Sequence, residues 1–411
     1  MFKQFKQRLY HLPFVQFGTL TGSAAIGQII TYLMLPILAR VYSPIEFSEF
    51  SKFISWVIPL SILASFKIEL STPKQRSVHD QYRTTFISLA LMLAICLVIS
   101  ILLVIGKAIG IDFETIYWLL PIGIMSTTAP QILFFLNTSQ QNNAQSASYR
   151  ILNNIILQLT SVLLGYLSWG AYGLIIGYFI GQWVGIIILL KGHFFALCSW
   201  RNSIQWNTIF TEFREYILFA TPQAIIETLQ LSGTIFLLTL FFGEPYPGIF
   251  YICWRILQAP INLISNSIFV IEYNECSKLL STQNSYSSRI KKSFSKLSIF
   301  GILLGAIFLL FGPDLFTLFL GEQHRLSGTM ASFLALWFVI QFIVSPFSFT
   351  AILANKQRQS LLLNSLDIVS KCIAFFIGYQ MDSIWIALGL YSVLSAIIGI
   401  CIYKWYLQIS P

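Results

Sequence analysis

Four basic side chains stand inside long apolar runs: Lys52, Lys67, Arg255 and Lys371. A charge at mid-bilayer depth costs at least about 2.5–3.5 kcal/mol on insertion scales, so each needs a partner or a task. Arg255 is the best candidate for holding a phosphate-type anion, because a guanidinium pairs bidentately with phosphate oxygens. Lys52 and Lys371 are further candidates for the same cavity. Lys371 follows Asp367 by four residues, a spacing that also suits a mutual ion pair on one helical face. Lys67 suits a snorkelling role near an apolar run's end. Three acids complete the set. Glu227 is the most isolated of them, and Asp367 and Glu69 are secondary. Each is a candidate for binding a proton or sodium ion, and Glu227 is equally suited to pairing with Arg255. Gln223, Gln230, Asn262 and Asn266 suit hydroxyl-rich ligands, although amides between membrane helices also serve as packing glue. The six cysteines form no Cys-x-x-Cys pair and the four histidines are scattered. No metal and no cofactor is expected.

These residues need helices to position them. Of 411 residues, 56% are hydrophobic and 10% charged, against roughly 25% charged in soluble domains. Uncharged runs recur at 84–106, 151–190, 326–355 and 383–403, and a spanning helix needs about 20 apolar residues. The chain is expected to be an all-α integral membrane protein with about twelve spans: 14–39, 45–70, 84–106, 115–137, 149–169, 172–195, 214–242, 247–271, 293–312, 329–353, 360–379 and 383–404. The first apolar run is far longer than the roughly 7–15 residues of a signal peptide and is read as a retained span. Six spans fall in 1–195 and six in 214–411, with 196–213 as a cytoplasmic linker.

Lysine and arginine set the orientation. With both termini cytoplasmic, only Arg40, Lys107 and Arg325 fall outside, and the rest of the non-span cations lie inside. The net charge of +9 then faces anionic inner-leaflet lipid and calls for no nucleic acid. No loop is large enough for a soluble catalytic domain, and no G-x-x-x-x-G-K-[ST] phosphate loop is present, so the chain is not expected to be an enzyme. Two further patterns bear on the helices. Gly173, Gly177, Gly181 and Gly185 recur every fourth residue, which predicts close packing of a neighbouring helix. Prolines at 36, 59, 121, 130, 222, 260 and 346 fall within spans, where each removes a backbone hydrogen bond and permits bending.

A weak internal repeat relates Tyr42-Ser43-Pro44…Phe47-Ser48-Glu49-Phe50…Pro59 to Phe242-Gly243-Glu244-Pro245…Pro247-Gly248-Ile249-Phe250…Pro260. Both copies sit at the outer turn between the first two spans of a half. Parallel halves with a site between them are a transporter plan.

The segments LPILARVYSPIEFSEF (35–50), FKIELSTPK (66–74), GLIIGYFIGQWVG (173–185), GIFYICWRILQAPINLISNSI (248–268) and FLALWFVIQFIVSPFSFTAILANKQRQ (333–359) occur in an order that resembles the polysaccharide-exporting flippases of the multidrug/oligosaccharidyl-lipid/polysaccharide superfamily, especially bacterial O-antigen and capsule repeat-unit flippases. Ser48 departs from the glycine usual in the family's outer turn, and the 138–150 loop carries one basic residue, Arg150. The resemblance implies two six-helix bundles around a central cavity in the bacterial cytoplasmic membrane. It implies an undecaprenyl-pyrophosphate-linked oligosaccharide as cargo, moved by alternating access without ATP hydrolysis, with proton or sodium as the coupling ion and a glycan polymerase as a partner protein. The alternatives are export of a drug or peptidoglycan precursor within the same superfamily, or a membrane glycan polymerase.

Overall fold

The computed structural model describes residues 13–198, 209–283, 285–354 and 356–409. Helix accounts for every regular element among them. We number twelve spans: α1 (Pro13–Val41), α2 (Pro44–Ser65), α3 (Val78–Ala108), α4 (Leu120–Ser139), α5 (Asn143–Tyr166), α6 (Ala171–Leu190), α7 (Thr221–Thr228 then Ser232–Phe241), α8 (Tyr246–Pro260, continuing into Asn266–Gln283), α9 (Ser287–Leu320), α10 (Ala335–Val344, led in by Arg325–Phe333), α11 (Gln357–Gln380) and α12 (Ile384–Ile409). Helix therefore occupies each expected position. Among the described residues nine helices are long and apolar enough to cross a membrane, or ten if the two pieces of α7, bent by 52°, count as one span. α5 falls short by composition, and α8 because its first piece is only 15 residues long and its continuation is charged. α5 carries Asn153, Asn154 and Gln158, and α8 carries Arg255, Gln258 and Asn262 before the charged stretch from Glu272. Large apolar side chains on α9, including Ile299, Leu303 and Leu310, are exposed, which suits contact with hydrocarbon and not with water. The chain is a multi-pass membrane protein.

Irregular helix lies beside several of the seven prolines. A π-helical turn, Tyr216–Ala220, precedes Pro222; another, Ile261–Ser265, follows Pro260; and a 3-10 turn, Ser345–Phe347, contains Pro346. Loss of the proline N–H frees a carbonyl one turn earlier, and the local winding changes to accommodate it. The break inside α7, at 229–231, has no proline of its own.

Contacts gather the chain into two compact units, Met1–Tyr42 with Phe53–Thr228, and Ser43–Lys52 with Leu229–Pro411. The expected linker 196–213 falls for the most part outside the described residues. In the first unit α5 packs along α6, and the glycine repeat is the reason. A Cβ at Gly177 would strike Ser161, at Gly181 would lie 2.7 Å from Leu157 Cβ, at Gly185 would lie 2.5 Å from the Tyr149 ring, and at Gly173 would strike Tyr42 Oη. The four-residue repeat on α6 thus meets Tyr149, Asn153, Leu157 and Ser161, a four-residue repeat on α5. Tyr42 closes the end of this seam by donating to the Ser161 carbonyl at 2.6 Å.

In the second unit the two copies of the internal repeat meet. A Cβ at Gly248 would strike the Pro44 carbonyl and the Ser48 amide, so only glycine allows this approach. Phe50 and Tyr251 pack edge to face at 5.8 Å, and Lys52 Nζ pairs with Glu244 Oε1 at 2.5 Å.

Candidate functional site

Arg255 projects from α8 one residue after Trp254. It is half-buried, and its guanidinium lies over the ring of Tyr251, one turn earlier, at 5.6 Å. Among the described residues of its unit, no carboxylate lies within the 4.0 Å of an ion pair. The other three cations singled out, Lys52, Lys67 and Lys371, each have a carboxylate in range. Lys52 is buried against Glu244, so the ion pair ties Ser43–Lys52 to the residues just before α8. Lys67 Nζ stands 3.8 Å from Glu69 Oε1.

Lys371 is the most enclosed of the four, with 1% of its surface exposed. Its Nζ lies 3.7 Å from Asp367 Oδ2, as the i, i+4 spacing predicts. It donates to the Gln230 carbonyl at 3.1 Å and to Gln230 Oε1. Gln230 sits in the break of α7, and that break is what turns its carbonyl toward the lysine. Two aromatic faces complete the cage: Tyr391 at 4.9 Å and Trp254 at 5.8 Å. Trp254 is itself stacked on Trp337 at 4.6 Å. The other oxygen of Asp367 accepts from Ser395 Oγ. An ammonium so placed exchanges its water shell for a carboxylate, two amide oxygens and two π faces. A polar cavity of ≈ 40 Å³ lies alongside, lined by Gln230, Gln341, Asn364, Asp367 and Ser395 among others. A water needs roughly 10–15 Å³ by this measure, so the space holds a few waters and no glycan headgroup.

The remaining candidates are dispersed. Gln223 and Glu227 are both exposed on the first piece of α7, and Gln223 Nε2 donates to Glu227 Oε1 at 3.1 Å. Glu227 is thus less isolated than its place in the sequence implies. Asn262 is half-buried within the π-helical turn after Pro260. Glu69 is fully buried in the 3-10 turn Ile68–Lys74 of the first unit. Sequence reasoning missed Trp254, Trp337, Tyr391 and Ser395. They come from three helices distant in the chain, and among 36 phenylalanines, 18 tyrosines and 10 tryptophans no spacing marks them out.

Comparison with known proteins agrees with this architecture. No curated protein matches the sequence. Among solved structures, the lipid II flippase MurJ in an inward closed conformation superposes with a TM-score of 0.69 at 14% identity, covering 95% of this chain and 89% of that one. An inward-facing multidrug resistance MATE family transporter of the MOP superfamily gives 0.61 at 16% identity, covering 93% and 94%. A MOP superfamily transporter from Pyrococcus furiosus, described as having a binding pocket of reverse polarity, gives 0.60 at 15% identity, covering 96% and 95%. These likenesses establish the fold. The model of a family described as polysaccharide biosynthesis protein matches residues 37–329. The chain belongs to that polysaccharide biosynthesis protein family and has the fold of the MOP superfamily transporters.

Proposed function

We propose that this protein is a flippase. It moves a polyprenyl-pyrophosphate-linked oligosaccharide, of O-antigen or capsule type, from the inner to the outer leaflet of the bacterial cytoplasmic membrane by alternating access. Both termini are cytoplasmic in this reading, as the lysine and arginine distribution requires. The physical task is to carry sugar hydroxyls and a pyrophosphate through hydrocarbon, where each unsatisfied polar group costs several kcal/mol. The polyprenyl tail stays in lipid.

The observation that carries the reading is Arg255. Of the four cations singled out, it alone lacks a carboxylate partner among the described residues of its own unit, and an uncompensated guanidinium at that depth favours an anionic cargo. The fold by itself does not choose, since multidrug transporters and a lipid II flippase share it. A cationic drug would be repelled by Arg255. Membership of a family described as polysaccharide biosynthesis protein supports a cargo drawn from polysaccharide assembly. Lys371 and Asp367 shape the second unit in this reading. Gln223, Gln230 and Asn262 are secondary candidates for sugar hydroxyls. Transport draws on a proton or sodium gradient, and a glycan polymerase at the outer leaflet is the natural recipient.

The test is export in cells. Arg255→Ala should cut the rate roughly 10–100-fold, the value of one lost charge-assisted contact, with undecaprenyl-linked oligosaccharide accumulating and membrane levels of the protein unchanged. Arg255→Lys should retain part of the rate, since it keeps the charge and loses the fork. Full export by Arg255→Ala would remove the residue from the cargo path.

A further inference from the structure

The first unit holds a buried acid that the handling of cargo does not use. Glu69 has no exposed surface, and neither carboxylate oxygen has a hydrogen-bond partner of ordinary geometry, although the Ser65 hydroxyl and the Glu69 amide stand near it. Lys67 Nζ, at 3.8 Å from Oε1, stands beyond hydrogen-bonding distance. The turn that carries Glu69 packs against α3, α4 and the π-helical turn Tyr216–Ala220. The ionisable groups of those elements are engaged elsewhere, Lys107 of α3 over the Trp118 ring at 5.5 Å and Cys96 against the Pro121 carbonyl. α4 has none. On α3, Arg83 makes two 2.8 Å hydrogen bonds to Glu212, His79 faces Asp80, and Tyr82 meets His193. Lys74, ending the turn itself, lies over the Tyr216 ring at 5.2 Å. The carboxylate therefore has Lys67 as its counter-charge and nothing else of its unit among the described residues. Ser65 Oγ and Thr72 Oγ1 are buried nearby in sequence, and of the two the Ser65 hydroxyl acts on the carboxylate.

The backbone shows how this pairing is held. Phe66 and Lys67 have φ of 48° and 55°. Two successive residues with side chains in the left-handed region are sterically costly and persist only where the surroundings enforce them. Lys67 sits at the N-cap of the 3-10 turn, so this break brings the ammonium beside a carboxylate two residues on. Relaxation of either residue to an ordinary conformation withdraws it. A bare carboxylate cannot then stay buried, and a neutral acid can.

We propose that Glu69 is a proton-binding site in which the Lys67 ammonium and a proton alternate as the compensating charge. With Lys67 in place its ammonium is the compensating charge. When the Phe66–Lys67 break straightens, an O–H bond forms on Glu69 with a proton taken from water, and the group remains buried as the neutral acid. The exchange involves no cargo, so it can be tested on the protein alone and stands or falls separately from the flippase reading.

The experiment is infrared difference spectroscopy of the full chain in vesicles of phosphatidylethanolamine and phosphatidylglycerol, titrated with acid and, separately, with NaCl at fixed pH. A C=O stretch of a protonated carboxylic acid should appear on acidification, vanish in Glu69→Gln and remain in Glu227→Gln. Lys67→Met should move its midpoint upward by at least about one pH unit, a tenfold change in proton affinity. If Glu69→Gln fails to fold, Glu69→Asp should keep the band at a displaced frequency. A band unchanged in Glu69→Gln, a midpoint unmoved by Lys67→Met, or a Glu69-dependent signal that follows sodium at constant pH would each overturn the proposal.

Discussion

The two units each bury a lysine and a carboxylate from neighbouring positions of one segment, and they treat the pair in opposite ways. In the second unit Lys371 and Asp367 are surrounded by the Gln230 carbonyl and amide oxygens, two aromatic faces and the Ser395 hydroxyl. In the first, Lys67 and Glu69 have each other at 3.8 Å, a costly backbone break, and no hydrogen bond of ordinary geometry at either carboxylate oxygen. A buried ion pair repays its desolvation only when its remaining donors and acceptors are satisfied. By that standard the Lys371 pair is a fixed part of the architecture and the Lys67 pair is exchangeable. Burial and charge alone do not separate a structural pair from a working one; the hydrogen bonds around it do.

The comparison breaks first, if it breaks, at Lys371. Lys371→Met should destabilise the protein by about 3–5 kcal/mol, because it leaves Asp367 buried and uncompensated. Adding Asp367→Asn should restore much of that loss. Thermal unfolding of the four members of the cycle in detergent measures it, and a double variant no better than Lys371→Met would mean that the cage matters more than the pair. The sharper contrast lies between two isosteric changes. Asp367→Asn alone should cost about 1–3 kcal/mol, the value of a charge-assisted partner lost in a satisfied network. Glu69→Gln should cost less than Asp367→Asn, since the carboxylate it replaces has no hydrogen bond of ordinary geometry to lose and Lys67 is only half-buried. Equal losses at the two positions would erase the distinction.

The sequence made some of this legible and hid the rest for identifiable reasons. The spans could be read because charge exclusion over about 20 residues is a strong and local signal. The Lys371–Asp367 pair followed from i, i+4 spacing, and the α5–α6 seam from four glycines on one stripe. The cage around Lys371 could not be read. Gln230, Trp254, Tyr391 and Ser395 converge from distant parts of the chain, and the α7 break that turns the Gln230 carbonyl carries no proline or glycine at 229–231 to announce it. The setting of Glu69 was hidden differently. Its break uses Phe66 and Lys67, where residue preferences would call for glycine, and a conformation held against preference leaves no trace in residue type. Lys52 shows the same limit from another side: its partner, Glu244, lies in the other copy of the repeat, and the repeat itself did not say that the copies touch.

The proposed role of Arg255, to hold the pyrophosphate, is tested most plainly by affinity measured directly. Binding of undecaprenyl pyrophosphate to the purified protein in lipid nanodiscs, followed by native mass spectrometry, should weaken roughly 10–100-fold in Arg255→Ala and by less in Arg255→Lys. Equal affinity in the folded Arg255→Ala protein would contradict the central claim.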